Sequence, residues 1–365
     1  MKKLQIYLMV GLCIVFALPK SIAAEWQWSV TIPSTTSAET EEHPQAFLWI
    51  PSDCRQVKAV VVGQHNMCEE TLFENPAFRR KMQEAGIALV WITPILDFPW
   101  DVTNGCNDAL LTALDDLAEV SGYTELRFAP IVPLGHSAMA TFPWNFAAWN
   151  PERTLAVVSY HGDAPRTNLT GYGRANLEWG RSRNIDGIPG LMVEGEYEWW
   201  EARVNPALAF RMMYPESCIS FLCDAGRGHF DVADRTAEYI GLFLKKAVEQ
   251  RIPETADCSR PVALKKLHLR DGWLAERWRT GKDEPQGEVR TARLASPAVP
   301  DRLLILSIRE TSMHDAFWYF DGEMAELTEA IYRQDHDLLP QYVSFMQAGE
   351  PVPYNPASPV SYTHL

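Results

Sequence analysis

The sequence predicts an α/β protein built on a mostly parallel sheet with helices on both faces. Three observations predict it. Short apolar runs alternate with stretches of helical periodicity from about residue 47 to residue 250. The runs are almost uninterrupted by polar residues, as strands buried on both faces must be. The helical stretches stop at glycine or proline, the residues that end a helix by backbone geometry.

The elements follow in order. Residues 47–50 are an early strand, and 57–62 a buried strand ending at Gly63. Residues 75–85 are amphipathic, with Gly86 as their stop, and 87–92 form the next strand, closed by Thr93-Pro94. Leu110, Leu111, Leu114, Leu117 and Ala118 recur at helical spacing within 107–121. An apolar run over 128–134 leads into Gly135-His136-Ser137-Ala138, and a helical stretch over 138–149 leads out. Further strands are expected at 155–160, 191–194 and 219–222, and a helix at 236–251 before Pro253. In such a sheet the reacting groups gather beyond the carboxyl ends of the strands.

The pattern changes after Pro253. Residues 254–301 are polar and rich in Pro, Gly and Arg, with scattered Trp273 and Trp278. A strand is expected at 303–308, a helix at 315–333, and a Pro-rich run at 349–359. We read 25–253 as the main domain and 254–359 as a small, incomplete accessory region. Residues 360–365 resemble the translated end of a sequencing adapter and are set aside.

Residues 1–24 read as an export signal: Lys2 and Lys3, a short apolar core over 8–18, then Ser21-Ile22-Ala23 or Ile22-Ala23-Ala24 as the cleavage site. Leu12 precedes Cys13 where a lipid-anchor site needs a small residue, which favours a cleaved, soluble product. The expected location is periplasmic or extracellular. The formal net charge is −14, and it becomes more negative once Lys2, Lys3 and Lys20 leave with the signal. Such a chain repels nucleic acid and anionic membranes, and no basic run offsets this. Neither a nucleic-acid partner nor stable membrane insertion is expected. Cys54, Cys68, Cys106, Cys218, Cys223 and Cys258 remain, and export permits disulfides. A Cys68–Cys106 pair is one expectation, six free thiols the other, and no zinc-type spacing occurs.

Ser137 is the candidate nucleophile. A serine on a sharp strand-to-helix turn holds its hydroxyl exposed, with the next backbone N–H free to face an oxyanion. Gly-x-Ser alone is a weak signal; its strand-turn-helix setting strengthens it. His229, in Gly226-Arg227-Gly228-His229-Phe230, is the candidate base, on a Gly-rich loop after the last strand. Glu194, Glu196, Glu198 and Glu201 crowd the end of the strand at 191–194, and Asp163 follows an earlier one.

These motifs resemble those of secreted α/β-hydrolases, close to the dienelactone-hydrolase and polysaccharide-esterase branches, over roughly residues 46–252. The resemblance implies the chain order Ser, acid, His. It implies an acid three residues after a strand-ending glycine, so Gly195 selects Glu198, with Glu196 and then Asp163 as alternatives. It implies an oxyanion hole made by the Ala138 amide and an amide of the loop 63–67, Asn66 or Met67. His65 in that loop is read as a loop-holding or substrate-binding residue. The usual motif ends in glycine, and Met139 stands there instead, which makes placement of the following helix an open point.

Acyl transfer on an ester follows, needing neither metal nor organic cofactor. Trp100, Trp144, Trp149, Trp179, Trp199 and Trp200 fall near the expected catalytic edge, and sugars stack on indole faces. Trp144 and Trp199 are therefore taken as substrate-binding, and an acylated carbohydrate as the substrate. Arg166, Arg174, Arg181 and Arg183 lie on a segment, 162–189, that reads as a lid. A serine peptidase and a binding protein without chemistry are the alternatives.

Overall fold

The structure is a computed structural model. It describes residues 26–38, 40–165, 185–196, 198, 200–276, 294–297, 316–333, 345–347 and 350–352. The export signal, Trp179, Trp199, the four lid arginines, the strand expected at 303–308 and residues 360–365 lie outside the described residues.

Eight strands form the central sheet: β1 (Trp28–Thr31), β2 (Gln45–Trp49), β3 (Ala59–Gln64), β4 (Ile87–Thr93), β5 (Ile131–His136), β6 (Val157–Tyr160), β7 (Pro189–Gly195) and β8 (Cys218–Asp224). Their spatial order is β1-β2-β4-β3-β5-β6-β7-β8. β2 runs antiparallel to β1 and β4, and every pairing from β4 to β8 is parallel. The alternation of side chains across a strand sorts them into two layers. Val61, Leu89, Val132 and Leu134 enter one core, and Val60, Val62, Val90 and Ile131 the other.

Helices cover both faces. α1 (Glu69–Glu74), α2 (Pro76–Ala85) and α6 (Asp234–Arg251) bury residues such as Phe73, Phe78 and Phe243 in the first core. α3 (Cys106–Ser121) buries Leu110, Leu114 and Leu117 in the second. Local chemistry sets the boundaries. Asn75 caps α2, its Oδ1 accepting the Ala77 and Phe78 amides at 2.8 and 3.1 Å. Gly86 ends α2 at φ 69°, a conformation that favours glycine. α4 (Thr141–Trp149) follows β5, and α5 (Trp200–Met213) follows β7.

Beyond α6, β9 (Trp273–Glu276), β10 (Leu294–Pro297) and β11 (Ala316–Tyr319) form a small antiparallel sheet in the order β10-β9-β11. α7 (Gly322–Arg333) follows it, and β12 (Phe345–Gln347) pairs with β13 (Glu350–Val352). β11 sits against β8. Phe317 stacks on Phe221 at 5.1 Å, the Tyr319 hydroxyl donates to the Phe221 carbonyl at 2.6 Å, and Ser220 donates to the Trp318 carbonyl. Residues 316–320 thereby share the core of the main sheet.

All six described cysteines are free thiols, which corrects the Cys68–Cys106 pair. Cys68 packs into one core and Cys106 into the other, on opposite faces of the sheet. The fold also assembles cations that lie far apart in sequence. Arg127, Arg153, Arg251 and Lys266 line a cleft of about 840 Å³ near the amino ends of β5 and β6. Ser137 sits at the other end of β5, so this cleft is separate from the candidate site. No helix among the described residues is long and apolar enough to cross a membrane.

The Phe317–Phe221 contact generates a stability prediction. Phe317→Ala should destabilise the protein by about 3–5 kcal/mol, as truncation of a buried phenylalanine generally does. Urea unfolding checks it; a loss within about 0.5 kcal/mol, the range of ordinary surface substitutions, would mean that β11 does not share the core.

Candidate active site

The turn that carries Ser137 is built from β5. Gly135 has no room for a side chain: a Cβ there would lie 2.1 Å from the Met139 carbonyl oxygen. The chain therefore folds back tightly, and Ser137 takes φ 53°, a left-handed conformation uncommon for serine. A single 3-10 turn, Ser137–Met139, precedes α4, with the Ala140 amide donating to the Ser137 carbonyl at 3.0 Å. The helix expected over 138–149 thus starts at Thr141. Ser137 and Ala138 are half-buried.

His229 comes from the loop after β8. Its Nε2 lies 2.7 Å from Ser137 Oγ, and its Nδ1 lies 2.6 Å from Glu198 Oε2. Glu198 comes from the turn after β7. Gly195 closes that strand where a Cβ would lie 2.8 Å from the Arg227 carbonyl and from Glu198 Oε1. The Gly195 amide donates to Glu198 Oε1 at 2.7 Å and fixes the side chain over the strand end. The structure thus brings Ser137, His229 and Glu198 into one hydrogen-bonded line.

The other acids sit elsewhere. Glu196 Oε2 accepts the Gly226 amide at 2.6 Å, tying the β7 and β8 turns together. Asp163 faces Arg203, with Oδ1 3.6 Å from Nε. In the loop after β3, the Asn66 amide side chain donates to the His136 carbonyl at 2.7 Å. His65 is half-buried with its ring edge-on to Trp91, and Met67 is 65% exposed. Trp144 corrects an expectation. It is 1% exposed, its indole N–H donates to the Asp163 carbonyl at 2.9 Å, and its ring fills the space beside Gly190, so no substrate can stack on it. Trp100 is likewise core, packed on Phe142 and Phe146.

Four residues that sequence reasoning did not single out complete the surroundings. Arg203 on α5 is 2.8 Å from Glu194 Oε2 and 2.9 Å from Glu198 Oε2. Burial holds Glu194 well above the ordinary carboxylate range. Burial pushes Glu198 the same way, but hydrogen bonds and charge from His161 and His229 outweigh it and hold Glu198 well below that range. His161, at the end of β6 with φ 51°, places Nδ1 against Glu198 Oε1. His136 is buried, and burial lowers its pKa to about 3, so its ring is neutral. Its Nε2 donates to the His229 carbonyl at 2.8 Å, which leaves Nδ1 to accept from Asn66 at 3.4 Å. Glu69, fully buried, accepts the His136 amide at 2.7 Å. The detectable signal was a histidine at a strand end, His161; Glu69, beside Glu70 and Thr71, and Arg203 gave none.

His161, Glu198 and His229 also offer ligand atoms within 4.8 Å of one another, a set able to hold a metal ion. The Arg203 guanidinium already occupies Glu198, and its positive charge opposes a second cation there.

No protein-family model and no curated protein sequence matches the chain. Among solved structures it is similar to Est1E from Butyrivibrio proteoclasticus (17% identity, 57% of this chain and 95% of that one, TM-score 0.37). It is also similar to a truncated carbohydrate esterase from gut microbiota (12%, 61% and 97%, TM-score 0.44). A third is the esterase domain of a Rhodothermus marinus protein (16%, 60% and 95%, TM-score 0.38). The strand order and the turn at Ser137 settle the architecture. The chain has the α/β-hydrolase fold. Within that fold Ser137 follows β5, Glu198 follows β7 and His229 follows β8.

Glu69 generates a pH prediction. Burial raises its pKa to about 8, although the His136, Glu69, Cys68 and Met67 backbone amides act in the opposite direction. An acid with a raised folded pKa binds its proton more tightly when folded, so its contribution to stability falls as pH rises from the unfolded value towards 8. Glu69→Gln, which cannot ionise, should lose stability less steeply than the parent between pH 5 and pH 8. Urea unfolding at both values checks this; equal slopes for parent and variant would show that Glu69 is ionised throughout.

Proposed function

We propose that the protein is a serine-dependent ester hydrolase. The observation that carries this reading is the hydrogen-bonded line from Ser137 Oγ through His229 to Glu198 at the carboxyl end of the sheet. His229 Nε2 takes the Ser137 proton as the oxygen attacks an ester carbonyl. The resulting imidazolium is stabilised by Glu198 and then protonates the leaving alcohol. Water, activated by the same ring, releases the acid and regenerates Ser137. The tetrahedral oxyanion is assigned to the Ala138 amide and an amide of the loop after β3, with Asn66 the choice, because the Met67 amide acts on Glu69.

The substrate class we propose is an acylated carbohydrate. The rim of the site mixes hydrogen-bonding groups, His65 and Asn66, with exposed apolar ones, Met67 and Phe230. A sugar ring carrying an acyl group presents the same mixture. The indole argument contributes less than the sequence suggested, since Trp100 and Trp144 are core. We propose export as well, through residues 1–24, with mass spectrometry of the secreted product as its check.

Ser137→Ala should lower hydrolysis of a short-chain nitrophenyl ester about 10³-fold or more. Glu198→Gln should lower it about 10²–10⁴-fold, and Glu196→Gln should leave most of it intact. Steady-state kinetics on purified protein checks all three. Undiminished turnover in Ser137→Ala would overturn the hydrolase reading; the reverse result for the two glutamates would move the acid to Glu196. Release of acyl groups from acetylated glycan, with no cleavage of peptide amides, separates the esterase from a peptidase of the same fold.

A further inference from the structure

The hydrogen-bonded line leaves one oxygen of Glu198 unused, and a second histidine occupies it. His161 is fully buried. Its amide donates to the Val193 carbonyl at 2.7 Å, which anchors it to β7 beyond the last residue of β6. Its left-handed backbone turns the ring onto Glu198 Oε1, opposite the oxygen that faces His229. A carboxylate accepts only, so His161 Nδ1 carries the hydrogen between them, while the Gly195 amide lies 3.2 Å from that nitrogen and 2.7 Å from Glu198 Oε1.

Glu198 therefore receives His229 and Arg203 at Oε2, and His161 with the Gly195 amide at Oε1. The other charged or titratable groups around it, among the described residues, are Glu194 and Asp163, both facing Arg203, the buried Cys68 and Cys223 thiols, and His136, whose ring centroid lies 4.9 Å from that of His229. Tyr160 packs on the far side of His161 at 4.1 Å. The four donors on Glu198 fix the carboxylate in one orientation, with Oε2 on His229.

We propose that His161 is a positioning residue of the hydrolytic site: it locks Glu198 to the strand end, so that Oε2 stays on His229 Nδ1. The role rests on the Ser137–His229–Glu198 reading above.

The test pairs His161→Phe with His161→Asn in the full chain. Phenylalanine fills the space without a donor. Asparagine returns an N–H near the Nδ1 position and tolerates the left-handed backbone. In His161→Phe kcat should fall about tenfold with KM little changed, and His161→Asn should restore most of it. His161→Ala, which removes the donor without adding bulk, should show the same loss of kcat. A folded His161→Phe or His161→Ala enzyme with unchanged kcat overturns the proposal, as does an equal loss in His161→Asn. If the parent hydrolyses no ester, the triad reading fails; if hydrolysis depends on Ser137 while kcat is unchanged without the His161 donor, only the role of His161 fails.

Discussion

One buried carboxylate organises the carboxyl end of this sheet. Glu198 is 2% exposed in its side chain, and an isolated charge so placed would neutralise rather than persist. Donors from four separate segments hold it ionised: the strand-end residues His161 and Gly195, on different strands, the helix residue Arg203 and the loop residue His229. Each donor is fixed by backbone that belongs to the fold itself. The imidazole that meets Ser137 is aimed by these contacts as much as by its own loop.

The neighbouring charges follow from the same constraint. Arg203 faces Glu194, Glu198 and Asp163, so a single guanidinium serves three acids. Three full negative charges on one cation would leave the site with a net buried charge. Burial displaces Glu194 well above the ordinary carboxylate range, against the pull of Arg203, and so opposes that accumulation of charge. His136 acts on the other side with no charge at all, as a neutral link between Asn66 and the His229 carbonyl. The loop after β3, the nucleophile turn and the histidine loop are thereby joined by hydrogen bonds.

How much of this was legible depended on whether the determining physics was local. Strands β3 to β8 and helices α2, α3 and α6 stood out because burial on two faces and glycine stops write themselves into short windows. Ser137 and His229 were readable because each follows a strand end with glycine close by, whereas Glu198 was singled out from the neighbouring glutamates only through the family resemblance. β1 escaped notice, being a short edge strand of alternating partial exposure. α5 carries an internal Pro206, which weakens any helical reading of its sequence. Trp144 looked available for a ligand and is core, since composition does not say which face of a helix meets the sheet. Arg203 and the cationic cleft near the amino ends of β5 and β6 needed the tertiary fold, because their partners are assembled from distant segments.

The departure at Met139 shows how a local rule can be met by different residues. A small side chain after the nucleophile is needed where the turn passes close to the neighbouring strand. In this chain the close approach falls one residue later. A Cβ on Gly162 would lie 1.9 Å from the Ala140 Cβ, so the tight contact joins Ala140 to the backbone just beyond β6. The 3-10 turn makes this possible, since it delays α4 until Thr141. Met139 is thereby directed away from that contact and is buried beside Phe142 and Phe146 in the second core. The same Gly162 follows His161, whose left-handed backbone aims its ring at Glu198. Packing of the nucleophile turn and placement of the second imidazole are thus consequences of one bend at the end of β6.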